Sequence, residues 1–162
     1  MRSASSTPRA AAGAGLPDGD PGIRALAVAG NNLAAALEEA ASRTGEEVAA
    51  MLGAAHTGRE HWARAGGWLE TERAEYTLAK CHLAAGNARA ALEHARACAA
   101  LCVANGADDF ECFFAQAALA LAHRACGDAE DCDRARQAAR THYAALAAEL
   151  KPWCESAMRL LD

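Results

Sequence analysis

The ten residues "LAKCHLAAGN", Leu78 to Asn87, return as "LALAHRACGD" at Leu119 to Asp128. Both copies read Leu-Ala-x-x-His-x-x-x-Gly-Asn/Asp. Self-similarity at a fixed offset marks stacked supersecondary units, because one helical hairpin cannot cover its own apolar face and must use a neighbour's. In each copy glycine can take the left-handed conformation that ends a helix, and the Asn or Asp after it suits the start of the next. The two segments therefore predict two equivalent helical hairpins hinged at Gly86 and Gly127.

The flanking sequence extends this pattern in both directions. A first helix is expected from Asp20 or Pro21, with Ile23, Leu26, Ala27, Gly30, Ala34 and Leu37 on its inward face. "SRTGEE" interrupts it, and Thr44 with Glu47 has the form of a capping box. The second helix turns Val48, Met51, Leu52, Ala55 and Trp62 inward and ends at Gly66-Gly67. The third carries Trp68, Leu69, Tyr76, Ala79 and Leu83 to Gly86, and the fourth runs from Ala88 to Ala104. Asp108 with Glu111 is a second capping-box candidate ahead of a fifth helix ending at Cys126. A sixth follows Gly127-Asp128, and Pro152 suits the first turn of a short closing helix over Trp153 to Leu161.

Composition agrees with an all-α fold. Alanine is the commonest residue, aromatics are 5%, and β-branched residues are scarce. The division expected is a disordered tail over residues 1–22, a helical-hairpin domain over 23–150, and a capping helix over 151–162. Net charge is −5, and no basic patch of the kind nucleic-acid binding needs is present. No apolar run approaches the ~20 residues of a membrane span. Seven cysteines, an odd number set mostly within helical patterns, suit reduced thiols in a cytoplasmic protein better than a disulfide framework.

"AEYTLAKCHLAAGNARAALEHARACAAL" resembles a tetratricopeptide (TPR) repeat. Leu78-Ala79 stands for that family's Leu-Gly pair, His82 for its first-helix Tyr, Gly86-Asn87 for its Gly-Asp turn, and Ala91-Leu92 and Cys98 for its small-residue positions. Leu119-Ala120, His123, Gly127-Asp128, Cys132 and Ala139 occupy the same places in the next unit. The resemblance implies six to seven helices in antiparallel hairpins, stacked as a short right-handed array. It further implies a concave groove lined by first helices. Arg73, Tyr76, Lys80 and Leu83 would lie on it from the third helix, Phe114, Ala117, Leu121 and Arg124 from the fifth, and Arg24 and Asn31 from the first. Arg73, Lys80 and Arg124 would make it positive in an otherwise acidic protein, fit for an acidic peptide or a terminal carboxylate. Tyr76 and Phe114 are equally readable as core aromatics.

The function expected is a non-catalytic protein–protein interaction module, binding a protein or peptide and needing no cofactor. Self-association through exposed array ends is a second expectation, unless Trp153, Met158, Leu160 and Leu161 cap the last hairpin. The alternative class is a soft-metal or thiol-redox protein. His94, Cys98 and Cys102 recur every fourth residue on one helix face, and a fourth ligand would come from Cys81, His82, Cys112 or Cys126. Against it, free cysteine is a small hydrophobe suited to tight helix seams. His82 and His123 read as packed rings with one satisfied nitrogen. Glu70, Glu72 and Glu75 read as a solvated helix face, leaving no acid–base pair to support catalysis.

Overall fold

The computed structural model describes residues 20–162, and seven helices make up nearly all of them: α1 Pro21–Glu38, α2 Gly45–Ala65, α3 Trp68–Ala84, α4 Ala88–Asn105, α5 Asp109–Cys126, α6 Ala129–Ala145 and α7 Lys151–Leu161. The part of the expected 1–22 tail up to Gly19 lies outside the described residues, whereas Pro21 and Gly22 already form the first turn of α1.

Local chemistry sets the boundaries. Asp20 caps α1 by accepting from the Gly22 amide at 2.8 Å. Thr44 and Glu47 exchange both hydrogen bonds of a capping box at the start of α2. Asp108 accepts from the Phe110 and Glu111 amides, but Glu111 does not reciprocate, because its carboxylate turns to Arg73. The two repeat hinges are equivalent. Gly86 and Gly127 have φ of 78° and 82°, and the Asn87 and Asp128 amides donate to the His82 and His123 carbonyls at 2.8 and 2.9 Å. Each hinge thus closes its helix by the same six-residue reach.

Consecutive helices pack as neighbouring pairs. In addition α1 lies against α3, and α3 against α5, while α7 covers α5 and the edge of α6. The backbones of α2 and α4 do not approach within 8 Å, so a cleft opens between them above α3. The seams are built from small residues. Ala27, Ala34, Ala55, Ala74, Ala79, Cys81, Ala91, Ala95, Cys98, Ala122 and Ala139 are all buried. At the α1–α2 crossing, a Cβ on Gly58 would stand 2.6 Å from Asn31 Oδ1.

Several packing expectations need correction. Leu26 is 55% exposed, because the close approach to α2 selects the Ala27/Gly30/Ala34 stripe one position round the helix. Cys132 is only half-buried, since α6 has no further hairpin against it. In α7 the buried anchors are Cys154 and Leu161, with Met158 packed beside them. Trp153 and Leu160 stay exposed and do not cap the hairpin. Among the described residues no helix is long and apolar enough to cross a membrane.

Candidate functional site

Three arrangements concentrate the polar chemistry, each on a different part of the array. The first is the groove. Tyr76, Lys80, Leu83, Phe114, Ala117 and Leu121 do share a surface on α3 and α5, and α7 lies along it, adding Trp153, Ala157 and Leu160. Tyr76 meets Phe114 edge to face at 5.5 Å, and Lys80 Nζ sits 5.9 Å from the Tyr76 ring. Part of the expected concave face is therefore filled from within the chain. Beyond Leu160 it stays open as a cavity of about 430 Å3, floored by Leu83, Ala84 and Leu121 and rimmed by Glu38, Arg43, Lys80 and Arg124.

The rim charges differ in availability. Lys80 pairs with Glu38 at 2.7 Å, and Arg43 Nη1 donates to the Leu37 and Glu38 carbonyls at the end of α1 and to Ala40 just beyond it. Arg124 is exposed, and no carboxylate among the described residues pairs with it. The other residues assigned to the groove lie elsewhere. Arg73 is bound by Glu111 near the opposite end of α3. Arg24 spans to Glu70 at 3.6 Å and covers the Trp62 ring. Asn31 faces Gly58 in the α1–α2 seam, with its Oδ1 buried and unpartnered.

The second arrangement joins Glu72 to two thiols. Glu72 is 1% exposed, which corrects the reading of Glu70, Glu72 and Glu75 as a solvated face; Glu75 is buried as well. Cys98 Sγ donates to Glu72 Oε1 at 2.8 Å, with Cys102 Sγ 3.7 Å from the same oxygen. Burial, together with the nearby Glu111 carboxylate, raises the Glu72 pKa to about 7 against the opposing Cys98 hydrogen bond. The adjoining Cys102, burial and the Glu72 carboxylate push the Cys98 thiol far above its ordinary value. Burial also raises Cys81 and Cys112, each to about 11. Soft-metal and redox chemistry use the thiolate, and these surroundings favour the thiol.

The third arrangement takes His94 away from its expected partners. The His94/Cys98/Cys102 stripe divides: the sulfurs point to Glu72, and the imidazole points into the α2–α4 cleft. There His56 from α2, His82 from α3 and His94 from α4 come together, with one nitrogen of each ring within 4.8 Å of the others. The His82 and His94 rings are nearly parallel at 5.2 Å, and His56 stands edge-on to both. Each inner ring is held through Nδ1. Glu75 Oε2 lies 2.7 Å from His94 Nδ1, and Arg59 Nε donates to the other Glu75 oxygen at 2.8 Å. His82 Nδ1 lies 3.4 Å from the Asn87 amide.

Electrostatics keep this site poised. Burial alone would raise the Glu75 pKa, but the bonds from His94 and Arg59 outweigh it and leave the carboxylate below its usual range. Burial, then the neighbouring His94 and His56 rings, lower the His82 pKa below its ordinary value. His82 Nε2 is buried without a hydrogen-bond partner, a state that costs about 1–3 kcal/mol for a polar atom. His82 matches the expected packed ring with one engaged nitrogen, but His56 has no sequence signature, because the three rings come from three separate helices. A cavity of about 370 Å3 opens beside them, lined by Arg59, Glu60, Glu75, Glu93 and Ala97. No family description matches the chain, and neither a curated protein nor a solved structure is similar enough to match it.

Proposed function

We propose that the chain is a non-catalytic, TPR-like interaction module of the cytoplasm that docks a peptide segment combining an aliphatic side chain with a carboxylate. The observation that carries this reading is the open end of the groove, where unpaired Arg124 overhangs a floor of Leu83 and Leu121. An aliphatic side chain on that floor loses contact with water, and a carboxylate beside it gains the guanidinium as a planar two-point partner. Lys80 adds no net charge there, since Glu38, which lines the same cavity, pairs with it.

The test is selection from a displayed random-peptide library on the full chain, followed by titration of the enriched peptides. Acid-plus-aliphatic sequences should emerge, and Arg124→Glu or Leu121→Asp should weaken them by tenfold or more. Enriched peptides that bind both variants as tightly as the parent chain would refute the groove as the docking site.

A second copy of the chain is the other partner the surface suits, on one specific observation. Leu26, Val28 and Leu33 are exposed on the outer side of α1, at the free end of the array. Light scattering across a concentration series should then show a dimer that Leu26→Glu with Leu33→Glu dissociates. A chain that stays monomeric at the highest concentration would remove this reading.

A further inference from the structure

We propose that His56, His82 and His94 form a site for one divalent transition-metal ion, with Zn2+ as the reference ion, in the cleft between α2 and α4. The groove uses Tyr76, Lys80 and Leu83 on another face of α3, so this site stands apart from the docking reading.

Convergence of three imidazoles is the first support. Neutral imidazole nitrogen suits Zn2+ and its divalent neighbours, and three such ligands with one open position form a common coordination set. The second support is independent of the clustering: His82 is 8% exposed, and its Nε2 has no partner among the described residues. An ion at this position would give that nitrogen its missing partner.

The surrounding groups orient the rings as metal ligands require. A carboxylate on the far nitrogen of an imidazole fixes the tautomer and raises the basicity of the near one. Glu75 does this for His94, and Arg59 fixes Glu75 in turn. For His82 the repeat supplies the argument. Its counterpart His123 places Nδ1 3.2 Å from the Asp128 carboxylate, which can only accept. Asn87 occupies the Asp128 position with its Nδ2 facing His82 Nδ1 at 3.4 Å, which puts the ring proton on Nε2; metal binding requires the amide to turn over, so that Oδ1 accepts from Nδ1–H and the Nε2 lone pair is free. His123 has no companion imidazoles, which confines the site to the first of the two repeat units.

Geometry sets one further demand. Bonds of 2.0–2.1 Å to a tetrahedral ion place ligand nitrogens about 3.3 Å apart. From a spread of up to 4.8 Å the nitrogens must close by as much as about 1.5 Å. Exposed His56 can move by side-chain rotation, and the nearly parallel His82 and His94 rings must also tilt against each other, because an ion bonds each nitrogen in the plane of its ring. The fourth position would face the cavity bordered by Glu60 and Glu93, open to water or to an added ligand.

The experiment uses the full chain without an affinity tag, stripped with chelator and titrated with Zn2+ against a chromophoric competitor. One ion per chain is expected, and Co2+ substitution should produce the visible absorption of a four-coordinate site. Because His82→Ala removes a buried ring and can unfold the chain, the deciding variants are His56→Ala and His94→Ala. Each should lose at least 100-fold in affinity while its helical circular dichroism stays unchanged. Glu75→Gln should weaken binding by 10–100-fold, and His142→Ala, on α6, should leave it unaltered. Folded His56 and His94 variants that bind as tightly as the parent chain would overturn the proposal, as would a parent chain taking up no Zn2+ at 100 μM.

Discussion

Glu72 is the residue whose surroundings depart furthest from what its type favours. A carboxyl group held in apolar packing keeps its proton to higher pH than it does in the unfolded chain. With the folded pKa near 7 and the unfolded one near the ordinary 4.5, the unfolded chain ionises first as pH rises. Glu72 therefore costs nothing below about pH 4, costs progressively more between pH 4.5 and 7, and reaches a constant penalty above that. Glu72→Gln removes the titration while keeping an acceptor for Cys98. Urea unfolding at pH 5 and pH 8 should show the variant gaining about 2 kcal/mol relative to the parent chain between the two pH values. A difference that does not change with pH would show that Glu72 is ionised in the fold throughout. The sequence held a signal for this burial that composition hides. The repeat register aligns Glu72 with Phe113, which is fully buried in the next unit. Residue type pointed to solvent, and the register pointed inward.

At the scale of helices, small residues decide which faces meet. Gly53 and Gly58 lie on the same helix in opposite settings. A Cβ at Gly53 would touch nothing within 4 Å, whereas at Gly58 it would press on the Asn31 side chain and backbone amide. Gly53→Ala should stabilise the chain by about 0.5–1 kcal/mol, because alanine restricts the unfolded chain and favours helix. Gly58→Ala should destabilise it by about 1–3 kcal/mol through overpacking, despite the same gain in propensity. Thermal melts of the two variants check both signs, and a stabilised Gly58→Ala would show that the α1–α2 seam is looser than described. Helix ends are legible from sequence because each rests on local chemistry: Thr44 with Glu47, Asp108, the two glycine hinges and Pro152 in the first turn of α7. The inward face of α1 was not, since Leu26 and Ala27 both fit a helical period. Only the approach of Gly58 from another helix decides between them.

For the molecule as a whole, the order of packing makes stability local. Among the described residues each hairpin meets only its neighbours, and α7 rests chiefly on α5 and the edge of α6. In such arrays terminal elements open at lower free energy than central ones. The same order explains why the site was only partly legible. His82, His94 and the groove residues each showed a helical register, but their grouping depends on how far α2, α3, α4 and α7 stand from one another. Register within a helix cannot report that spacing, so nothing in it marks His56, and it sets Arg24, Arg73 and Asn31 on a groove they do not line. Hydrogen exchange can read the packing order directly. Amides of α3, α4 and α5 should be the most protected, and those of α1 and α7 should exchange faster. Leu161→Ala sharpens the test, because Leu161 and Cys154 anchor α7 against Phe113, Ala135, Ala139 and Leu146. Truncating a buried leucine costs about 2–5 kcal/mol when the whole fold must bear it. Here the loss is capped by the free energy of undocking α7, so exchange should quicken throughout α7 while α3 and α4 keep their protection. Equal acceleration in all seven helices would instead mean that the array unfolds as one cooperative body with α7 integral to it.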